Sequence, residues 1–91
     1  MAVDVYISVI LREICTEKSR WSVEATTIGE IIEKIEIDCP GFGGKVLTPE
    51  GLIRKSILIS LNGETIASSS GTSTQVESGA HVYFLVPLAG G

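Results

Sequence analysis

Apolar and polar residues alternate along two early segments of the chain. In residues 3–11 every second side chain, from Val3 to Leu11, is apolar, and residues 20–25 follow the same period of two. The polar residues 16–19 between these segments are suited to a turn. The sequence therefore predicts that the fold opens with two antiparallel strands joined as a hairpin.

The spacing of apolar residues then changes to that of a helix. Thr27 and Glu30 form a capping box, in which each side chain bonds a backbone amide that the first helical turn leaves unpaired. Pro40 disfavours helical geometry at the residue before it. One amphipathic helix is predicted between these signals, and its apolar stripe has the spacing i, i+3, i+4 and i+7: Ile28, Ile31, Ile32 and Ile35.

The second half of the chain returns to the strand period. Residues 41–55 are rich in glycine and predict a loop with a short helical turn around residues 45–47. Residues 56–61 predict a third strand. The pair Asn62-Gly63 is the strongest two-residue hairpin signal, and it leads into a short fourth strand at residues 64–67.

A final strand is predicted at residues 82–86. Its side chains are apolar on both faces, which is typical of a strand that lies between two neighbours. The period of two places Val82, Phe84 and Val86 on one face, and Tyr83 and Leu85 on the other.

Composition and charge narrow the class of protein. Ninety-one residues suffice for one small domain, residues 1–91, and the 44% hydrophobic and 20% charged residues are typical of a soluble globular protein. A net charge of −4 would repel a phosphate backbone, so nucleic acid is not an expected partner. The longest apolar runs are far shorter than the ~20 residues of a membrane helix, and the amino-terminal alternation is unlike a signal peptide. We expect a cytoplasmic protein that does not bind membranes.

Few side chains offer catalytic or metal chemistry. Cys15 and Cys39 fit neither a CxxC redox pair nor a four-ligand metal set, and we expect them to be reduced and to pack as small apolar side chains. The single histidine, His81, has no nucleophile and orienting partner that the sequence can assign to it, and it is expected to face solvent. The acidic residues of the predicted helix are typical of a solvated face. We therefore expect no catalytic residue, no metal, no bound cofactor and no enzyme activity of the chain's own.

The last five residues carry a different chemistry. Pro87 has no backbone N–H and ends strand pairing, so residues 87–91 are expected to form a flexible tail. Leu88 and Ala89 lead to Gly90 and Gly91, and a chance pair of terminal glycines is roughly a 0.5% event. A carboxylate at Gly91 becomes an acyl donor only after activation. Side chains this small would let an ATP-using partner bring it to the α-phosphate in a closed pocket.

The order of predicted elements, the Asn62-Gly63 turn and the ending VYFLVPLAGG resemble the MoaD/ThiS family of sulfur carriers. The resemblance implies an α+β fold of the β-grasp (ubiquitin-like) type, with a mixed four- to five-stranded sheet packed on one main helix. It also implies a cycle in which an E1-like enzyme uses ATP to adenylate Gly91. The product becomes a thiocarboxylate that donates sulfur to an acceptor biosynthetic enzyme. The chain would act as a co-substrate, or as the small subunit of a synthase.

The resemblance leaves the acceptor open. It favours molybdopterin synthesis, with the large subunit of molybdopterin synthase as the receiving partner. Carriers for cysteine or thiamin synthesis are alternatives. A modifier joined to lysines of other proteins would use the same tail, and a β-grasp binding module with no activation step would not use it. An apolar sheet surface near the tail should help partners dock, and Leu85 and Tyr83 are the candidates, with Leu88 on the tail. The competing interpretation places Leu85 in the core.

Overall fold

The computed structural model describes residues 2–8, 15, 20–66 and 71–86, and it shows strands and helices in the predicted order. The strands are β1 (Val3–Ile7), β2 (Arg20–Val23), β3 (Leu58–Leu61), β4 (Glu64–Thr65) and β5 (His81–Leu85). The helices are α1 (Ile28–Asp38) and α2 (Phe42–Val46), and a 3₁₀ turn covers Gly71–Ser73.

The strands form one mixed five-stranded sheet in the order β2-β1-β5-β3-β4. Strand β1 pairs antiparallel with β2 and parallel with β5, and β5 pairs antiparallel with β3. The prediction that the last strand lies between two neighbours is therefore confirmed. Because β1 and β5 run in parallel, their carboxyl ends lie at the same end of the sheet.

Strands β1 to β4 are shorter than the segments that predicted them, and β5 has the predicted length but is shifted by one residue. Strand β1 ends at Ile7, and the predicted residues 9–11 lie outside the described residues. Strand β3 starts at Leu58, two residues after the predicted start, because the chain is still turning where the Ile57 amide donates to the Arg54 carbonyl at 3.0 Å. Strand β5 starts one residue early, at His81.

The predicted hairpin turn between β3 and β4 is confirmed. Asn62 has φ 51° and Gly63 has φ 90°, the left-handed pair that a two-residue hairpin requires. The turn is also tied to β5, because the Asn62 amide donates to the His81 carbonyl at 2.8 Å and the Asn62 side-chain oxygen accepts from the His81 amide at 2.9 Å. These two bonds account for the early start of β5.

Helix α1 has the predicted cap with one difference. The Thr27 hydroxyl accepts from the Glu30 amide at 3.2 Å, as a capping box requires. The Glu30 carboxylate returns its bond to Thr26, one residue before the cap, where it accepts from the amide at 2.7 Å and the hydroxyl at 2.9 Å. These bonds to Thr26, chiefly the backbone one, lower the pKa of Glu30.

The carboxyl end of α1 leads directly into α2. The helix ends at Asp38, before Cys39 and Pro40, as predicted. The Glu36 carboxylate then bridges to the next helix by accepting from the Gly41 amide at 2.9 Å and the Gly43 amide at 2.7 Å. These backbone bonds, with Gly41 contributing most, lower the pKa of Glu36. The short helical turn expected around residues 45–47 is real but starts earlier, at Phe42, where these bonds hold the chain.

The core lies between one face of the sheet and α1. All four isoleucines of the predicted stripe are buried. They face apolar side chains of β1 and β5, including Val5, Val82 and Phe84. Phe42 of α2 packs against Phe84 edge to face, with ring centroids 5.4 Å apart. Burying a side chain of this size stabilises the fold by roughly 1.5–3 kcal/mol. Helix α1 is therefore held against β1 and β5 mainly by apolar contacts.

The prediction that the two cysteines are reduced is wrong for this structure. Cys15 and Cys39 form a disulfide, with their Cα atoms 4.9 Å apart. They are 24 residues apart in sequence, and only the tertiary fold brings Cys15, in the connection between β1 and β2, against the residue that follows α1. The expectation that both pack as small apolar residues is confirmed, since both are buried.

No helix in the described part of the chain is long and apolar enough to cross a membrane.

Candidate functional site at the outer sheet face

Strand β5 leads to the predicted site. Its inward side chains, Val82 and Phe84, are fully buried, and Val86 after the strand packs partly against the core. The contact between the two parallel strands continues one residue past the end of β1, because the Ser8 amide donates to the Phe84 carbonyl at 2.9 Å. The predicted tail residues Pro87, Leu88, Ala89, Gly90 and Gly91 lie outside the described residues. The structure thus describes the segment from which the tail continues.

The outer face of β5 presents both predicted docking residues to solvent. Tyr83 is 40% exposed and Leu85 is 38% exposed. The alternative that placed Leu85 in the core is therefore wrong, because the period of two turns it to the side of the sheet opposite α1. Whether partners use these side chains stays a prediction.

Leu85 has an apolar neighbour that the sequence did not single out. Leu58 of β3 is directly opposite Leu85 in the antiparallel register, and it is 43% exposed. The two leucines form a pair at the carboxyl end of β5, next to the point where the described chain ends. We call Leu58 and Leu85 the leucine pair.

A row of aromatic and cationic side chains crosses the sheet beside the leucine pair. Tyr6 of β1 and Tyr83 of β5 are paired in the parallel register, and their rings stack with centroids 4.6 Å apart. The Arg20 guanidinium of β2 lies 5.4 Å from the centroid of the Tyr6 ring, within cation–π range. We call Arg20, Tyr6 and Tyr83 the aromatic row. The aromatic row extends the outer surface next to the leucine pair across three strands.

Among the described residues, the outer face also carries His81 of β5 and Asp4 of β1. His81 is 53% exposed, as predicted, and its Nδ1 lies 3.7 Å from an oxygen of Asp4. Within the described ranges, no group of three or more histidine, cysteine or acidic residues could hold a metal ion. The acidic side chains of α1 that could be mistaken for such a group include Glu30 and Glu36, whose carboxylates accept backbone hydrogen bonds.

The helix side of the domain carries an open groove of about 520 Å³. It runs between the start of α1 and the loops near Gly51 and Thr72, and neither a cysteine nor a histidine lines it. The groove and the outer sheet face lie on opposite sides of the core. The groove is lined by the hydroxyls of Thr27, Thr72 and Ser73 and by the carboxylates of Glu30 and Glu33. The Glu30 carboxylate accepts hydrogen bonds from the amide and the hydroxyl of Thr26.

Sequence reasoning missed Leu58, Tyr6 and Arg20 as parts of this surface. Each lies at an outward position of its strand, so the period of two could have placed it on the outer face. The pattern could not tell which outward residues become neighbours, because that depends on the strand order and the registers of β1, β3 and β5.

Comparison with known proteins agrees with this architecture. The model of the ThiS family matches residues 5–91, nearly the whole chain. Small archaeal modifier protein 3 of Haloferax volcanii is 27% identical over 82 residues, which is 88% of each protein. The CysO protein in the BexX/CysO complex of Amycolatopsis orientalis superposes with a TM-score of 0.88 at 28% identity, over 99% of this chain and 100% of the other.

A second solved relative leads to the same conclusion. CysO of Mycobacterium tuberculosis superposes with a TM-score of 0.84 at 26% identity, over 94% of this chain and 99% of that one. The mixed sheet packed on α1 is thus the β-grasp, ubiquitin-like fold that the resemblance implied. Members of this group are small carrier or modifier proteins rather than enzymes. The chain belongs to the ThiS family of ubiquitin-like sulfur carriers.

Proposed function

We propose that this protein carries sulfur as a thiocarboxylate at Gly91. The proposal is supported by membership of the ThiS family over residues 5–91 and by a sequence that ends in two glycines. The observation that carries it is the arrangement around β5. This strand is anchored between β1 and β3 and leads toward the glycines beside an exposed apolar surface.

The reacting groups are the Gly91 carboxylate and groups that its partners supply. In the first step a Gly91 carboxylate oxygen attacks the α-phosphorus of ATP held by an E1-like enzyme. Pyrophosphate leaves, and an acyl adenylate forms. In the second step a sulfur nucleophile attacks the acyl carbon and displaces AMP, so that sulfur replaces one carboxylate oxygen. The chain binds no cofactor of its own in this scheme, and ATP belongs to the partner.

The tail residues give the carboxylate its access. Gly90 and Gly91 have no side chain and Ala89 has only a methyl group, so this thread fits a narrow channel in which a Cβ would obstruct the approach to the phosphate. Pro87 has no backbone N–H to donate to a neighbouring strand. Leu88 supplies an apolar contact for the partner.

Partners dock on the outer sheet face in this proposal. The leucine pair and the aromatic row expose apolar and aromatic surface next to the last described residues. Tyrosine and arginine, the residue types of the aromatic row, are enriched at interface centres. The net charge of −4 favours a partner whose rim is basic. We place this exchange in the cytoplasm. An acceptor biosynthetic enzyme would use the same surface after the activating enzyme has left.

The acceptor enzyme that we propose is the large subunit of molybdopterin synthase, with this chain as the small subunit. Carriers serving cysteine or thiamin synthesis remain alternatives. A second class of function, conjugation of Gly91 to lysines of other proteins, is favoured by the 27% identity to a protein named as a small archaeal modifier. Both classes need the same activated glycine. They differ in whether the acyl group passes to sulfur or to an amine.

The test is intact mass spectrometry after incubation with the host's E1-like enzyme, ATP and a sulfur source. We expect a mass gain equal to the replacement of one oxygen by sulfur, located on Gly91. Gly91→Val should abolish the gain. Gly44→Ala is the matched control, because a Cβ at Gly44 meets no atom within 4 Å and this glycine lies in α2. An unchanged mass with an E1-like enzyme that activates a known carrier would contradict the proposal.

The same reactions separate the alternatives. A modifier would give additional species in which this chain is joined to a lysine of another protein through an amide that survives denaturation. A binding module without activation would keep its affinity for partners when Gly91 is deleted, whereas a carrier would lose every product.

A further inference from the structure

The Cys15–Cys39 disulfide is the one covalent cross-link in the protein, and the carrier chemistry does not use it. The two residues are the only cysteines in the sequence, so no third thiol can reshuffle the bond within the chain. Cys15 is 4% exposed and Cys39 is 2% exposed. The bond therefore has a role that must be found in the elements that it joins.

The disulfide lies at the end of the domain from which the tail continues. Arg20, at the start of β2, pairs with Tyr6 near the carboxyl end of β1, and β1 runs parallel to β5. The next residue, Trp21, donates its indole N–H to the carboxylate of Asp38, the last residue of α1, at 3.0 Å. The carboxyl ends of β1, β5 and α1 are thus together. We call this region the tail end of the domain.

Only non-covalent contacts hold the rest of the tail end. The Cys39 amide donates to the Ile35 carbonyl at 2.7 Å, Trp21 bonds Asp38, and Glu36 accepts from the Gly41 and Gly43 amides. Each of these hydrogen bonds exchanges with water when this end opens, so each contributes little on its own. The disulfide instead keeps residue 15 attached to α1 even when the hydrogen bonds break.

We propose that the Cys15–Cys39 pair is a redox-sensitive clamp on the tail end of the domain. When a dithiol reduces it, two electrons and two protons convert the disulfide to two thiols and the dithiol becomes a disulfide. Residue 15 is then no longer attached to α1. This proposal is argued from the contacts at the tail end, and it does not depend on whether Gly91 carries sulfur. In the cytoplasm that we propose for the protein, such dithiol systems are abundant, so the state of the clamp would follow their redox poise.

Burial of both sulfurs sets how the clamp responds. A thiolate must approach a disulfide sulfur directly, and neither cysteine is accessible while the tail end is closed. Reduction therefore waits for the tail end to open, and it should be slow under native conditions. Mild denaturant should speed it before the whole domain unfolds.

Hydrogen exchange tests the clamp on the full chain in oxidised and dithiothreitol-reduced form. The amides that report on the tail end are those of Ser8, Cys39 and Gly43. The amides that report on the opposite end of α1 are those of Ile28 and Val76, which donate to the carbonyls of Thr74 and Thr26. We expect reduction to lower the protection factors of the tail-end amides about tenfold more than those of the amides at the opposite end of α1. We also expect the Tm to fall by about 15 °C, since the bond closes a loop of about 25 residues.

The double variant Cys15→Ala/Cys39→Ala is the matched control. It should reproduce the reduced protein without dithiothreitol and should not respond to it. If this variant fails to fold, the reduced wild-type protein still supplies the comparison. Two thiols that stay free when the reduced protein is treated with oxidised glutathione would overturn the proposal, because the pair would then not form the disulfide. An equal loss of protection at both ends would also overturn it, because the bond would then stabilise the whole domain with no preference for the tail end.

Discussion

Removal of the leucine pair should weaken binding to the activating enzyme without unfolding the domain. Full burial of a leucine side chain contributes about 1.5–3 kcal/mol. Leu85 exposes 38% and Leu58 exposes 43% of their surface, so docking can bury only that part. Each truncation to alanine should cost about 0.6–1.3 kcal/mol, and the double variant about 1.2–2.4 kcal/mol. This corresponds to a Kd that rises roughly 8- to 60-fold.

The assay is isothermal titration of the carrier into the E1-like enzyme without ATP, so that binding is measured apart from chemistry. Leu52→Ala is the matched control, because Leu52 is 56% exposed but lies in the loop between α2 and β3. It should leave Kd unchanged within about twofold. The reasoning is refuted if the double variant binds as tightly as the wild type, or if Leu52→Ala weakens binding as much as the double variant does.

Three further predictions concern stability. Gly71→Ala should destabilise the domain by about 1–3 kcal/mol in urea unfolding, because its Cβ would lie 2.7 Å from Ile53 Cδ1, whereas Gly44→Ala, which has open space, should not. Thr27→Ala removes the cap of α1 and should lower the free energy of unfolding by about 1 kcal/mol, and Thr27→Ser, which keeps the hydroxyl, should lose less. The pKa of Glu36 is lowered in the folded state, so its contribution is present above the ordinary value of 4.5 and is lost as pH falls through the folded pKa. Glu36→Gln should therefore flatten the decline in Tm below pH 4.5, and a decline as steep as that of the wild type would assign the acid sensitivity to other groups.

Much of the fold could be predicted because its signals are local. The isoleucine spacing and Thr27 located α1, and the Asn62-Gly63 pair located the turn between β3 and β4. Apolar residues on both faces of the last strand indicated its central place in the sheet. The ends of the strands were predicted less accurately, because the alternation of apolar and polar residues extends past the last residue that is hydrogen-bonded in the sheet. Glu30 shows the same limit, because its side chain bonds Thr26 one residue away from the position that a capping box predicts.

The candidate site was likewise only partly predictable from the sequence. The period of two could place Tyr83 and Leu85 on one face of the last strand, but the core remained an alternative for Leu85 until the structure showed it exposed. Leu58, Tyr6 and Arg20 become their neighbours only through the registers of three different strands.

The sequence by itself determined the order of elements and the apolar face of each, because these follow from residue type and from spacings of a few residues. The chemistry that it predicts for Gly90 and Gly91 stays a prediction. The tertiary structure alone decided that β1 runs parallel to β5, that the leucine pair forms, and that Cys15 meets Cys39 across 24 residues of sequence. Contacts of this kind depend on how the whole chain packs around the buried isoleucines of α1. No local pattern encodes them, because the period of a strand sets the face of a side chain but not its partner.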